Sequence, residues 1–266
     1  MSGNVFVNKI MDFSATYQGP FVTKIYAFED ISSTNIKIRS LAMKGAEEGT
    51  VVIAQTQRKG RGRFDRVWQS PKGGVYLSLL LRPKAAAEKA SFLTYVAALA
   101  VTHAVRSFNL PARIKWPNDV LVHGKKIAGI LLESEMSGPR VSYVIVGIGV
   151  NLNTNLTRLS KDVRDTATSL GNELGSRIDD DAFLTMFFKQ FDRFYQLFSA
   201  GHFNQIIEEW KQQSDTLGKH IRVQTASDII QGVAIDVDQS GFLLLKTSEG
   251  TTVRVTSGDC TVIDAS

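Results

Sequence analysis

Glycine and arginine alternate in one short segment of the chain, residues 60–68, whose sequence is GRGRFDRVW. Glycine lets the backbone approach a ligand closely and adopt positive φ angles. Arginine presents a planar set of donors suited to carboxylate and phosphate groups. An apolar run over residues 50–56 precedes the segment and predicts a buried strand that ends at a loop. Such a loop could hold an anion, but a solvated basic turn and a nucleic-acid segment fit the same residues.

Further polar residues follow at residues 115–119, where the sequence KWPND combines a cation, an aromatic ring, an amide and a carboxylate. Shortly after them, Lys126 opens a predicted strand that has the small residue Gly129 beside it. Alone, this second segment would predict no more than a turn and a core strand. Together with the arginine loop and Asn151, which ends the predicted strand over residues 141–150, the two segments describe a site with several fixed cations, donors for a polar ring and a movable cover.

The elements that must position these residues alternate between strands and helices, as is typical of an α+β fold. The predicted strands cover residues 21–31, 50–56, 74–81, 113–116, 120–122, 126–133 and 141–150, with the fifth and sixth forming a hairpin. The predicted helices cover residues 32–42, 88–108, 166–174, 179–199 and 202–213. A polar segment to residue 165 is predicted to be a mobile loop, and residues 1–19 a loosely ordered lead-in.

The sequence pattern changes after residue 213, where short strand patterns alternate with turn residues. Five such strands, at residues 221–225, 230–237, 242–246, 251–256 and 261–263, predict a small antiparallel β-barrel. The predicted fold is therefore α+β: a mixed-sheet catalytic domain flanked by helices over residues 1–213, and a small C-terminal antiparallel β-barrel over residues 214–266. Phenylalanines at helical spacing within residues 183–198 predict core packing.

Composition narrows the class of protein. The chain has 266 residues, 21% of them charged, with a net charge of +5 and a sequence pI of about 9.3, values typical of a folded protein with anionic ligands. That charge is too small to argue for a nucleic-acid-binding protein. The single cysteine, Cys260, precludes an intramolecular disulfide and fits a reducing compartment, where it would be a buried thiol. With no secretory signal and no membrane-length apolar run, the expected location is the cytoplasm.

Several familiar catalytic motifs are missing from the sequence. It has no phosphate-loop lysine motif, no dinucleotide fingerprint within a βαβ unit and no Gly-x-Ser-x-Gly elbow. Its four histidines are scattered without metal-ligand spacing. A covalent protein nucleophile and a catalytic zinc are therefore not expected.

In combination, these motifs resemble those of the biotin–protein ligases, of the single-function type without the N-terminal DNA-binding domain. The resemblance runs from residue 28 to residue 262, and too few residues precede Phe21 for three DNA-binding helices. One departure is Asp65, where the family loop commonly has glycine; it adds a carboxylate beside the triphosphate region. The motifs lie at residues 33–35, 60–68, 115–119, 126–129, 147–151, 217–219 and 257–259.

The resemblance implies a two-step reaction. The biotin carboxylate attacks the α-phosphate of ATP to give biotinyl-5'-adenylate and pyrophosphate, with Mg²⁺ as cofactor. A lysine of a biotin carboxyl carrier protein domain, the implied partner, then attacks the acyl carbon and releases AMP. The first step joins two anions, so charge neutralisation in a preorganised site is its main requirement.

The resemblance also implies roles for individual residues. Lys126 would lie between the biotin carboxylate and the α-phosphate, and Arg63 would hold the adenylate and seal it in. With these two, Asp119 is the third predicted catalytic residue; together with Asn118 it would orient the acceptor lysine or the metal, whose ligands stay unknown. The implied biotin-binding residues are Ser33, Thr34, Asn35, Gln57, Arg61, Gly62, Arg63, Lys126 and Gly129. The implied ATP- and adenylate-binding residues are Arg63, Arg66, Trp68, Asn118, Lys126 and Asn151, with Arg66 facing the pyrophosphate.

Other functions fit parts of the pattern. A lipoate–protein ligase shares the two-step logic, although the Gly-Arg loop and the appended small domain favour biotin. A non-enzymatic nucleic-acid-binding protein would explain the basic loop but neither residues 115–119 nor residues 33–35. No DNA partner and no membrane association are expected, and a homodimer formed by pairing of sheet edges stays open.

Overall fold

A computed structural model describes residues 19–138 and 140–263 of the chain. Its larger sheet has seven strands in the order β1-β2-β3-β7-β6-β5-β4, with only β1 and β2 parallel. The strands are β1 (Lys24–Ile31), β2 (Thr50–Gln57), β3 (Val75–Leu81), β4 (Ala112–Lys115), β5 (Asp119–Val122), β6 (Lys125–Ser137) and β7 (Arg140–Val150). The predicted mixed sheet is confirmed, with boundaries that differ by a few residues.

Helices cover both faces of this sheet. They are α1 (Thr34–Met43), α2 (Phe92–Arg106), α3 (Lys161–Thr166), α4 (Leu170–Leu174), α5 (Asp180–Ser199) and α6 (Phe203–Gln213), with short 3₁₀ turns at Ala87–Lys89 and Leu156–Arg158. Successive strand residues point to opposite faces. Accordingly, Val52 packs in a small core beneath α1, whereas Val51 and Ile53 belong to the main core with α2, α5 and α6.

The phenylalanines of α5 are core residues, as predicted. Phe183, Phe187, Phe191 and Phe198 are buried, and α5 packs along α2. At the helix start, the Asp179 carboxylate accepts a hydrogen bond from the Asp181 backbone N–H. Each buried phenylalanine stabilises the fold by about 1.5–3 kcal/mol, so the stripe anchors the helical layer against the sheet that carries the site.

The C-terminal strands form a second, antiparallel sheet in the order β11-β10-β9-β8-β12. A hydrogen bond from the Trp116 backbone N–H to Thr216 Oγ1 (2.8 Å) ties its lead-in to the larger sheet. The α+β class with a small antiparallel C-terminal unit is confirmed, whereas the domain boundary at residue 213 stays a prediction. The strands are β8 (His220–Gln224), β9 (Ile229–Val237), β10 (Leu243–Lys246), β11 (Thr252–Val255) and β12 (Asp259–Val262).

The prediction of a mobile loop up to residue 165 is wrong, because the 3₁₀ turn and α3 lie within it. Hydrogen bonds between Gln69 and Ser160, at 2.7 and 2.8 Å, hold this segment against the arginine loop. The helix predicted over residues 166–174 is interrupted because Thr168 donates its backbone N–H to the Lys126 carbonyl (2.9 Å). A new helix, α4, begins only after Ser169 caps it.

The described residues bear on two further sequence features but not on the predicted lead-in. The predicted lead-in over residues 1–19 falls, apart from Gly19, outside them. Within residues 19–138 and 140–263, no helix combines the length and apolar character needed to span a membrane. Cys260 is buried, and burial raises its pKa to about 11, so the thiol stays protonated at neutral pH.

Candidate functional site

A cavity of about 600 Å³ lies on the α1 face of the large sheet, between the arginine loop and the small domain. All of the predicted site residues line it. They are Ser33, Thr34, Asn35, Gln57, Arg61, Gly62, Arg63, Arg66, Trp68, Asn118, Asp119, Lys126, Gly129 and Asn151.

Glycines on the adjacent strands β6 and β7 form the floor of the cavity. A Cβ atom on Gly147 would lie 2.3 Å from Asn35 Oδ1, and one on Gly149 would lie 2.4 Å from Trp68 Nε1. Gly129, paired with Gly149, would bring a Cβ within 3.0 Å of the Trp68 ring. Glycine is therefore required here because the Asn35 and Trp68 side chains lie directly on the sheet.

The N-terminus of α1 forms the polar end of the cavity. Ser33 and Thr34 are buried there, and the Gln57 amide oxygen accepts hydrogen bonds from Thr34 N (2.8 Å) and Thr34 Oγ1 (3.1 Å). The Ser78 hydroxyl donates to Asn35 Oδ1 (2.5 Å) and lies 2.8 Å from Thr34 Oγ1. The uncharged polar side chains at this end suit a neutral ligand with carbonyl and N–H groups.

The arginine loop is a tight turn that closes on itself. The Gly62 N–H donates to the Arg66 carbonyl at 2.7 Å, while Phe64 and Asp65 adopt φ angles of 53° and 56°. That left-handed region suits glycine best, although aspartate tolerates it better than most residues. This conformation suits the glycine that the resemblance leads us to expect at position 65.

Under the ATP-binding role that the resemblance implies, replacing Asp65 with glycine should lower the KM for ATP by roughly two- to five-fold, the usual effect of one exposed charge. The substitution removes a carboxylate that lies close in sequence to Arg63 and Arg66, the arginines implied to contact the phosphates. Asp65→Asn keeps a residue that accepts positive φ and removes only the charge. Steady-state kinetics on both variants separates the two causes. An equally lowered KM for ATP in both variants would identify the Asp65 charge as the cause. A lowered KM in Asp65→Gly alone would identify the backbone conformation, and a raised KM in both would contradict the prediction.

Two arginines connect the loop to the small domain. Arg63 donates from Nη1 to Asn118 Oδ1 and to the Gly258 carbonyl, each at 3.2 Å. Arg66 Nη2 donates to Asp259 Oδ2 at 2.7 Å. Burial lowers the pKa of the Arg63 guanidinium, partly opposed by the Asp119 and Asp259 carboxylates. The loop is thus held between both sheets.

Asp259 is charged despite its partial burial. Burial acts to raise the pKa of this carboxyl. The hydrogen bond from Arg66 and the positive charges of Arg66, Lys115 and Lys126 outweigh that effect and leave the pKa below its ordinary value. The Arg66–Asp259 ion pair is therefore intact throughout the neutral range and lost only as the pH falls through that depressed pKa.

Lys126 occupies the middle of the cavity wall. Its Nζ lies 2.6 Å from Asp119 Oδ1 and 5.3 Å from the centre of the Trp68 ring. Neighbouring Asn118 accepts from Arg63 and donates from Nδ2 to the Ile130 carbonyl at 2.7 Å. A lysine ammonium and an arginine guanidinium thus flank the same space, where negative charge would be stabilised strongly.

Asn151 and the segment after it form the end of the cavity opposite α1. Asn151 is buried, its backbone N–H donates to the Ile127 carbonyl (2.8 Å) and its Oδ1 lies 3.5 Å from Thr154 Oγ1. Leu159 and Val163 contribute apolar surface beside Trp68. A planar, partly apolar group fits this end.

A second, smaller cavity of about 170 Å³ adjoins the first. The two cavities share the side chains of Arg63, Asn118 and Ile130 as a common wall, while Tyr95 and Phe242 line the far side. A side chain that reached from the smaller cavity past Arg63 and Asn118 would enter the larger cavity, which Lys126 lines.

Some residues of the site were not identified from the sequence. Glu133, Ser78 and Asp259 all contact or line the cavity region. Of these residues, Asp259 lies in the motif at residues 257–259, so its position in that motif could have indicated it. Glu133 and Ser78 stand within plain strand patterns, so nothing local distinguishes them.

Two protein-family models match the chain: the biotin/lipoate A/B protein ligase family over residues 27–151 and the biotin protein ligase C-terminal domain over residues 216–262. The chain is 38% identical over 222 residues to the bifunctional ligase/repressor BirA of Bacillus subtilis, covering 83% of this chain and 68% of BirA. It is also 38% identical to a biotin–[acetyl-CoA-carboxylase] ligase of Paracoccus denitrificans, covering 82% and 92% of the two chains.

A solved structure of the biotin protein ligase from Aquifex aeolicus, in complex with biotin and ATP, gives a TM-score of 0.79 at 28% identity. The match covers 91% of this chain and 100% of that one. The fold agrees with that of this solved structure. This chain belongs to the biotin protein ligase family.

Proposed function

We propose that this protein activates biotin with ATP to biotinyl-5'-adenylate and transfers biotin to a lysine of a biotin carboxyl carrier protein. The observation that carries the proposal is one cavity with an uncharged polar end at Ser33 and Thr34 and a cationic middle at Lys126 and Arg63. Biotin has a neutral ureido ring at one end and a carboxylate at the other, so its two ends match the two regions.

At the polar end, the ureido ring would lie against the N-terminus of α1. Ser33, Thr34, Asn35 and Gln57 offer donors and acceptors for its carbonyl and N–H groups. The backbones of Arg61, Gly62 and Gly129 would add main-chain contacts. Gly129 and the other floor glycines leave room for the Asn35 and Trp68 side chains, which would contact the ligand from the sheet side.

In the first step, a carboxylate oxygen of biotin attacks the α-phosphorus of ATP. The bond from that phosphorus to the bridging oxygen breaks, and pyrophosphate leaves with the electron pair. Lys126 and Arg63 would stabilise the charge on the α-phosphoryl oxygens, and Arg66 would face the pyrophosphate. Asp119, 2.6 Å from Lys126 Nζ, would hold that ammonium in place.

The nucleotide base would occupy the end lined by Trp68, Asn151 and Leu159. Mg²⁺ keeps several waters and binds substrate phosphates with only one or two carboxylates, and the cavity carries two carboxylates, Asp119 and Asp259. Asp119, with the Asn118 amide, would hold the ion, whose chemistry is to neutralise phosphate charge. Within residues 19–138 and 140–263, no cluster of three or more His, Cys, Asp or Glu is placed to bind a metal alone.

In the second step, the neutral amine of the acceptor lysine attacks the acyl carbon, the acyl–phosphate C–O bond breaks, and AMP leaves. The amine loses a proton to solvent as the amide forms. The wall shared by the two cavities, at Arg63 and Asn118, is the side from which the lysine would approach. We place this reaction in the cytoplasm, which the free thiol of Cys260 suits, and retain a homodimer as a proposal.

The proposal is tested by incubating the protein with ATP, Mg²⁺, biotin and an isolated carrier domain, followed by mass spectrometry of the carrier. We expect the mass gain of one biotinyl group on a single lysine. A parallel reaction with lipoate should give no product. Product with lipoate but not with biotin would transfer the assignment to the related ligases, and product with neither would refute the proposal.

Replacing Asp259 with alanine should raise the KM for ATP several-fold and leave the KM for biotin unchanged, because Arg66 loses the partner that fixes its guanidinium. The pair is solvent-exposed, so stability should change by less than about 1 kcal/mol. Since the pKa of Asp259 is depressed, the effect should not vary across neutral pH.

Pyrophosphate-exchange assays at varied ATP test this role of Asp259. The matched control is Asp228→Ala, which removes an exposed carboxylate elsewhere on the small domain. A changed KM for biotin with an unchanged KM for ATP would contradict the assignment.

A further inference from the structure

Glu133 joins groups from three separate elements at the edge of the cavity. Its Oε2 accepts a hydrogen bond from Asn35 Nδ2 at 2.7 Å. Its Oε1 lies 3.1 Å from Arg61 Nη1 and 3.1 Å from Arg39 Nη2. The Glu133 side chain is only 15% exposed, whereas those of Arg61 and Arg39 are 45% and 40% exposed. The carboxylate is therefore the fixed member of the group, and the arginines are the members that could move.

The Asn35 amide can be oriented in only one way by these contacts. Its Nδ2 donates to Glu133, and its Oδ1 accepts from Ser78 Oγ. Beneath it, Gly147 has no Cβ, so the amide lies flat on the sheet. Loss of the Glu133 acceptor would leave one amide N–H of a buried side chain without a partner, which costs free energy.

From Asn35, hydrogen bonds continue around the polar end of the cavity. Ser78 Oγ, which donates to Asn35, lies 2.8 Å from Thr34 Oγ1, and the Thr34 backbone N–H donates to Gln57 Oε1 at 2.8 Å. Gln57 Nε2 in turn donates to Ser70 Oγ (3.0 Å), and Ser70 donates to the Trp68 carbonyl (3.0 Å). The chain of contacts thus starts at Arg61 and ends at Trp68, two residues of the same arginine loop.

We propose that Glu133 is a positioning residue that fixes the Asn35 amide and the Arg61 side chain together, and so couples the biotin end of the cavity to the anion-binding loop. This inference rests on the proposed function. A ligand held by the polar end would stabilise the network and, through Glu133, the loop that binds the nucleotide. Biotin should therefore increase affinity for the nucleotide, and the nucleotide should increase affinity for biotin by the same factor.

Two substitutions separate the parts of this role. In Glu133→Gln, the amide oxygen can still accept from Asn35, but the ion pairs with Arg61 and Arg39 are lost. In Glu133→Ala, the acceptor for Asn35 is lost as well. Glu135→Gln is the matched control, because Glu135 lies two residues along the same strand and is exposed.

The experiment is calorimetric titration with biotin and with α,β-methylene-ATP, each in the absence and presence of the other. For Glu133→Gln we expect biotin affinity within about two-fold of the native value and a loss of most of the coupling factor. For Glu133→Ala we expect biotin affinity to fall by about 10- to 100-fold, as for a lost hydrogen bond to a charged group. Thermal melting of each variant identifies those that fail to fold.

Outcomes that overturn this inference differ from those that overturn the proposed function. If the native protein binds neither ligand, the proposed function fails. If it binds both and Glu133→Gln keeps the full coupling factor, Glu133 has no such role. A loss of coupling in Glu135→Gln as well would also overturn the inference, because it would show a general effect of charge on the strand.

Discussion

Replacing Lys126 with alanine should slow adenylate formation by about 100- to 1,000-fold, the usual cost of removing one preorganised charge that stabilises a transition state. The Lys126 ammonium lies 2.6 Å from Asp119 and over the Trp68 ring, so its position is fixed before substrate arrives. The measurement is the rate of biotin-dependent ATP–pyrophosphate exchange at saturating biotin and ATP.

The neighbouring exposed lysine provides the control for this prediction. Lys125→Ala removes the same charge one residue away, and Lys125 does not line the cavity. Its exchange rate should stay within about two-fold of native, since exposed charges have small effects. A near-native exchange rate in Lys126→Ala, or an equal loss in Lys125→Ala, would refute the role assigned to Lys126.

Replacing Arg63 with glycine should release the activated intermediate from the site. The guanidinium spans from the loop to Asn118 and to the Gly258 carbonyl, so it closes the cavity on the side of the small domain. Loss of a charge-assisted contact of about 1.5–3 kcal/mol should speed escape of the adenylate by about 10- to 100-fold. Escaped adenylate would acylate lysines of a bystander protein such as serum albumin.

Mass spectrometry of bystander lysines, with labelled biotin, measures this release. The matched control is Arg58→Gly, because Arg58 lies just before the arginine loop but pairs with Asp30 outside the cavity. Arg58→Gly should give no more bystander labelling than the native enzyme. Unchanged retention of the adenylate by Arg63→Gly would show that another group seals the site.

The sequence predicts the parts of this molecule that depend on local patterns. The α5 phenylalanines have helical spacing, and the C-terminal strands carry turn residues between them, so both elements could be predicted. Motif residues such as Lys126 and Arg63 carry a family pattern, and the structure brings them to one cavity. Their individual roles stay predictions.

Contacts between distant segments could not be predicted in the same way. Glu133 lies 98 residues from Asn35 in the chain, and Asp259 lies 193 residues from Arg66. A lone carboxylate in a strand pattern gives no sign of the partner that folding brings to it. The wrong prediction for the segment up to residue 165 has a similar cause, because Gln69, which is distant in sequence, bonds to Ser160 and holds the segment in place.

The central claim is that a single cavity binds biotin and adenylate end to end across the arginine loop. A crystal structure with a non-hydrolysable biotinyl-adenylate analogue tests it most directly. We predict the ureido ring against Ser33 and Thr34, the linker between Lys126 and Arg63, and the adenine beside Trp68. An analogue bound elsewhere, or bound with its ureido ring away from the α1 N-terminus, would contradict the account.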